Sequence, residues 1–184
     1  MRECTADAEL RRLISSWIAV AEGTPAPEAD RFFRFAAAWI AFNAMYSDIT
    51  DVSLELCDSA MVDRFCRRQN VWQAHKRLHR SVQPYAAATA IITEKAVFDV
   101  RRVGLEEDDF VAARREDEAE YFDTVGSSRD FRRMMRVIYR IRCNLFHGGK
   151  RLYNPRDVEL IDASQEVVLG LVRELNDRDT SDLA

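Results

Sequence analysis

The sequence predicts an all-α protein, a helical bundle of four to five main helices with additional short ones. Three observations carry this prediction. Only six Gly and four Pro punctuate 184 residues, which is sparse for an all-β chain needing a turn every ten residues or so. Apolar residues recur at three-four spacing over long windows, the period of a helix packed on one face. Strong start and stop signals bracket those windows, at Gly126-Ser-Ser128, Gly148-Gly149 and Asn154-Pro155.

The elements follow in chain order. Residues 7–21 space Leu10, Leu13, Ile14, Trp17, Ile18 and Ala21 as one helical stripe. Thr24-Pro-Ala-Pro27 breaks the chain, and Pro27 suits the first turn of a helix over 27–47. That helix carries Phe32, Phe35/Ala36, Trp39, Asn43 and Tyr46 on one stripe, while Phe33 and Ile40 cover its other sides. Apolar nearly all round, it is expected at the centre of the bundle, and Asn43 would need a hydrogen-bonding partner there. Segments 56–68 and 70–82 read as Arg-rich helices, whereas 85–100 is compatible with helix through Ala86-Ala87-Ala88 or with strand through Ile91-Ile92-Thr93.

Residues 105–123 hold nine acidic side chains and two Arg, a solvated helix or a loop. Gly126-Ser-Ser128 offers a cap to a helix reaching about 147, with Met134, Ile138, Ile141 and Leu145 as its core stripe and Gly148-Gly149 as its stop. This is the second helix expected to be central. Asn154-Pro155-Arg156-Asp157 then opens the last helix, with Val158, Ile161, Val168, Leu171 and Leu175 on its seam.

Composition excludes a disordered chain and a disulfide scaffold, with 47% hydrophobic residues and four scattered Cys that form no Cys-x-x-Cys. Free thiols in a reducing cytoplasm are the expectation. The longest uncharged run in the most apolar region, Phe35 to Ser47, is 13 residues, short of a membrane span. The N-terminus lacks the apolar stretch of a secretion signal.

Net charge is −4, from 27 Lys+Arg against 31 Asp+Glu, which taken alone argues against a nucleic-acid binder. The charge is unevenly placed. Between Arg129 and Arg156 there are nine basic residues and one acid, Asp130, so this segment is +8 and the remainder −12. A positive ridge of this kind fits a phosphate backbone; it equally fits a solvated helix face paired with the acidic 105–123 segment.

Within the basic segment, Arg142 precedes His147 by five residues, and Lys150 and Arg151 follow at once. An imidazole that titrates near neutrality beside a fixed guanidinium charge suits proton transfer at a phosphate ester. The guanidinium fork would hold non-bridging oxygens and stabilise developing negative charge. The plainer reading is a helix-terminal His bonding the last carbonyls, with Arg142 in a surface ion pair. His75 and His79 form a His-x-x-x-His pair, which could face one metal. No Glu follows His75 and no third ligand is indicated, so an exposed pair among Lys76, Arg77 and Arg80 is the expected arrangement. A glycine-rich phosphate loop and a serine-nucleophile elbow are both missing from the sequence.

The stretch Val137-Ile-Tyr-Arg-Ile-Arg142-Cys-Asn-Leu-Phe-His147-Gly-Gly-Lys150 resembles the signature of the HEPN superfamily, an Arg followed after four to six residues by a His. Arg156-Asp157 at the head of a long final helix fits too, as does Trp39-Ile-Ala-Phe-Asn43-Ala-Met-Tyr46. Residues 50–125 match no part of the pattern, so the resemblance implies one HEPN-like domain over 1–184 with 50–125 as an insertion or elaboration. It further implies a metal-independent endoribonuclease without cofactor, acting in a toxin–antitoxin or phage-defence role. The implied catalytic residues are Arg142, His147 and Asn144, with Arg140, Lys150, Arg151 and Tyr139 contacting substrate. The implied partners are RNA, a second copy of the chain, and a cognate antitoxin or larger defence complex, in the cytoplasm and away from membranes. Other members have lost catalysis, so a module binding a nucleotide or a partner protein is the alternative. Cys143 is a departure, because the family often has Asn, Asp or His directly after the Arg and here the amide comes one place later, as Asn144.

Overall fold

A computed structural model of the chain describes residues 29–47, 58–94, 126–146 and 155–181, together with Arg11, Ile14, Ile18, Glu22 and Thr124. The protein is all-α. Six helices run through these segments: α1 Ala29–Ser47, α2 Asp58–Cys66, α3 Gln69–Ser81, α4 Gln83–Glu94, α5 Ser128–Phe146 and α6 Pro155–Ser181. No strand occurs among the described residues, and none of their helices is long and apolar enough to cross a membrane.

Local chemistry explains the boundaries. Helices α3 and α4 would be one rod but for Pro84, whose ring clashes with the preceding turn and forces the chain before it out of helical geometry. The break falls at Val82, extended at φ −119° and ψ 99°, whose N–H still donates to the carbonyl of Leu78. Pro84 itself sits in the first turn of α4, where its missing N–H costs nothing. Ser127 caps α5: its hydroxyl accepts the N–H of Arg129 at 3.1 Å and its carbonyl accepts that of Phe131. The 85–100 stretch, compatible in sequence with helix or strand, is helical as far as Glu94, burying Tyr85, Ala88, Thr89, Ile92 and Thr93 at helical spacing. Its two buried threonines bond back to the carbonyls of Ala86 and Thr89, which satisfies hydroxyls that would otherwise be orphaned.

The centre of the bundle belongs to α6, which packs against α1, α3, α4 and α5. The expectation that 27–47 and 128–147 are the central pair is corrected here. Helix α6 combines large apolar residues with small ones: Leu160, Ile161, Val167, Val168, Leu171 and Val172 are fully buried beside Ala163, Ser164 and Gly170. Ser164 remains satisfied by donating to the carbonyl of Leu160 at 2.6 Å. At Gly170 an added Cβ would lie 2.9 Å from the Tyr85 ring, so the glycine is what allows α4 to approach.

Helix α1 buries Phe35, Trp39, Phe42 and Tyr46, but Phe33 is 55% and Ile40 37% exposed, so it is not covered all round. Asn43 also faces outward, accepting a bond from the hydroxyl of Ser47, rather than sitting in the core stripe. Ile14 belongs to the core and Ile18 packs on it; Leu10, Leu13, Trp17 and Ala21 lie outside the described residues. So do residues 95–123, including the acidic segment and the end of the 85–100 stretch.

Candidate active site

Of the residues singled out by the sequence, Tyr139, Arg140, Arg142 and Asn144 lie on the last turns of α5, and Arg142 meets side chains of α1 and the start of α2. Arg142 is the centre of the cluster. Its guanidinium lies 5.0 Å from the ring centroid of Phe146, and 5.9 Å from those of both Trp39 and Tyr139. Three aromatic faces thus hold one cation. Its Nη1 is 3.7 Å from Oδ2 of Asp58, a long pair with both side chains 30% exposed. Asp58 is in turn anchored by Tyr46, whose hydroxyl donates to Oδ1. Burial, reinforced by this bond to the carboxylate, pushes the Tyr46 hydroxyl far above its ordinary range, so it stays protonated.

Tyr139 is pushed up to about 12 by burial, then by its bond to Cys143. It packs against Trp39 with ring centroids 6.0 Å apart, and is likewise no proton-transfer group at neutrality. Two donors in this cluster are buried without an acceptor among the described residues: the indole N–H of Trp39 and the Nε–H of Arg142. A buried donor left unbonded costs free energy, so such groups mark places where an acceptor is welcome.

Among the other expected site residues that are described, Asn144 leaves the cluster. Asn144 is 2% exposed and buried. Two residues from Arg142 along an ideal helix is roughly 200° of rotation, so its amide and the guanidinium leave opposite sides of α5. Arg140 is half-buried on the same helix. His147, Lys150 and Arg151 lie outside the described residues, immediately beyond the half-exposed Phe146. Asp58 was not legible as a site residue, because nothing near it in sequence is unusual; it meets Arg142 only through the packing of α2 on α5.

His75 has a different role from the one its sequence suggested. It is fully buried rather than exposed. Its Nε2 is 2.9 Å from the carbonyl of Thr124 and its Nδ1 is 2.8 Å from the hydroxyl of Tyr85. A carbonyl can only accept, so Nε2 carries the proton and Nδ1 accepts from Tyr85. The ring stacks on Phe131 at 4.4 Å. Burial lowers its pKa from 6.5 to about 4, so it is a neutral structural group with both nitrogens occupied. His79 lies 6.1 Å away, ring to ring. Among the described residues no three His, Cys, Asp or Glu side chains gather where they could hold a metal ion. Cys66 and Cys143 are free, buried thiols.

A second charged cluster lies along the same pair of helices. Asp63 of α2 accepts from Nε of Arg67 at 2.9 Å and from Arg136 of α5 at 2.7 Å, with Arg132 at 3.5 Å. Although burial works the other way, these guanidiniums hold its carboxyl below the usual range. Comparison with family models, with curated proteins and with solved structures finds no match for this chain.

Proposed function

We propose that the protein is a metal-independent endoribonuclease of the HEPN type, serving in a toxin or phage-defence role. The observation that supports this most is the state of Arg142: a part-exposed guanidinium held by three aromatic rings, with a long carboxylate pair and an Nε–H that has no acceptor among the described residues. A phosphate oxygen is the acceptor that such a group would take with the greatest gain.

In this reading the 2′-hydroxyl of a ribose attacks the adjacent phosphorus. The O2′–P bond forms, the P–O5′ bond breaks, and the products are a 2′,3′-cyclic phosphate and a 5′-hydroxyl end. One imidazole removes the proton from O2′ and a second delivers one to O5′. With Tyr46 and Tyr139 both holding their protons, His147 is the motif residue whose ordinary pKa lies near neutrality. Each chain brings one such histidine, so a symmetric pair of chains facing a common cleft supplies both acid and base. Arg142 binds the non-bridging oxygens as charge grows on them. Asn144, coming from the buried side of α5, would support the backbone of the motif rather than touch the substrate.

Arg140, Lys150, Arg151 and Tyr139 are the proposed substrate contacts, and a cognate antitoxin or larger defence complex the proposed regulator. The experiment is cleavage of RNA in EDTA by wild type, Arg142→Ala and His147→Ala, with analysis of the new ends. Cleavage retained by both variants refutes the site. A wild type that binds RNA without cleaving it favours a non-catalytic module on the same helices.

A further inference from the structure

The Asp63 cluster brings together basic residues that the sequence keeps far apart. Arg64, Arg67 and Arg68 belong to the end of α2 and the turn after it, and Arg129, Arg132 and Arg136 to α5. All but Arg132 are exposed. The side chains of Arg67 and Arg136 are 63% and 59% exposed although both bond to Asp63. Three guanidiniums, those of Arg67, Arg132 and Arg136, therefore meet at one carboxylate, a net +2 on a protein whose total is −4, and Arg64, Arg68 and Arg129 are exposed near the same helix ends. Each guanidinium carries five N–H donors, so three of them sharing a single carboxylate keep donors to spare for an outside anion. Arg68 is further stiffened by lying 5.6 Å from the Phe65 ring centroid.

This patch adjoins the site without being part of it. Asp58 at the first residue of α2 meets Arg142, and Asp63 meets Arg136 and Arg132. Helices α2 and α5 hence run antiparallel, and six residues of α5 separate Arg136 from Arg142, about 9 Å of helix rise. We propose that the Asp63-centred arginine ridge is a second phosphate-binding surface, which holds the RNA strand by backbone phosphates beyond the scissile one. This rests on the ribonuclease reading only for the identity of the strand. The ridge reads charge rather than bases, so its contribution is independent of sequence. Asp63 sets its strength, occupying guanidinium donors that phosphate oxygens would otherwise take.

The test is binding of a fully 2′-O-methylated RNA, which cannot be cleaved, to the full chain over a range of salt. For a single strand each phosphate contact adds roughly 0.7 to the slope of log K against log salt. Arg64→Gln/Arg67→Gln/Arg136→Gln is expected to lower the slope by about 2 and to weaken binding at least tenfold at low salt. Arg64→Gln/Arg129→Gln, at exposed positions outside the Asp63 bonds, should lower it by about 1.4 and protects the result against misfolding of the triple variant. Asp63→Asn should tighten binding. Unchanged slopes and affinities in both arginine variants overturn the ridge. If wild type fails to cleave ordinary RNA while the slopes fall as stated, the ribonuclease reading fails and the ridge stands.

Discussion

His75 makes a sharp prediction about acid. In the folded chain it is neutral and bonded at both nitrogens, with a pKa lowered from 6.5 to about 4 by burial. The native state therefore binds fewer protons than the unfolded chain between those values, and stability must rise with pH across that window. Read downward, the loss begins near pH 6.5 and is complete near pH 4. A difference of this size corresponds to about 3 kcal/mol in total, of which about 2 is lost between pH 7 and pH 4.5. For a chain of this length that lowers the melting temperature by roughly 4–8 °C. His79 is close enough to add to the penalty when both are charged. Carboxylates such as Asp63 and Glu174, held below their usual range by arginines, lose their contribution at lower pH and add a background slope. The variant His75→Gln isolates the histidine, since its amide N–H can still donate to Thr124 and it does not titrate. Urea unfolding of both proteins at pH 7 and 4.5 gives the comparison. Wild type should lose about 2 kcal/mol more than His75→Gln. Equal losses in the two proteins would refute the buried, neutral assignment.

Other outcomes follow from the same packing. Gly170→Ala places a methyl 2.9 Å from the ring of Tyr85, which is fully buried and bonded to His75; the strain outweighs the gain in helix propensity, and urea unfolding should show a net loss of about 1–2 kcal/mol. Phe42→Ala empties a fully buried site bounded by Trp39, Tyr46 and Phe65, at a cost of about 3–5 kcal/mol in the same measurement. Asp58→Asn loosens Arg142 without touching the substrate, so kcat for RNA should fall roughly ten- to a hundredfold while KM does not rise. Tyr46→Phe should act in the same direction and more weakly.

The helices were largely legible because their signals are local. Met134, Ile138, Ile141 and Leu145 repeat at the helical period and all four are buried, and Gly126-Ser-Ser128 holds the capping hydroxyl of Ser127. What failed depended on partners distant in sequence. His75 looked exposed among Lys76, Arg77 and Arg80, but Thr124, 49 residues away, and Phe131 enclose it. Helix α6 looked like one amphipathic element among several, and its central place comes from Ala163, Ser164 and Gly170, small residues that admit neighbours on several sides. In the site, Arg142 was legible from its spacing to His147, while Asp58 and Asp63 were not. Ordinary residues in ordinary helices, they acquire roles only when α2 packs on α5, bringing Asp63 to a partner 73 positions along the chain.

The central claim is that Arg142 and His147 cleave RNA by internal attack of the 2′-hydroxyl. The most direct measurement incubates purified protein with RNA in EDTA and identifies the ends formed. Wild type should give 2′,3′-cyclic phosphate and 5′-hydroxyl ends, with Arg142→Ala and His147→Ala each losing at least a hundredfold in rate. Cleavage that survives both substitutions, or products bearing 5′-phosphate ends, would contradict it.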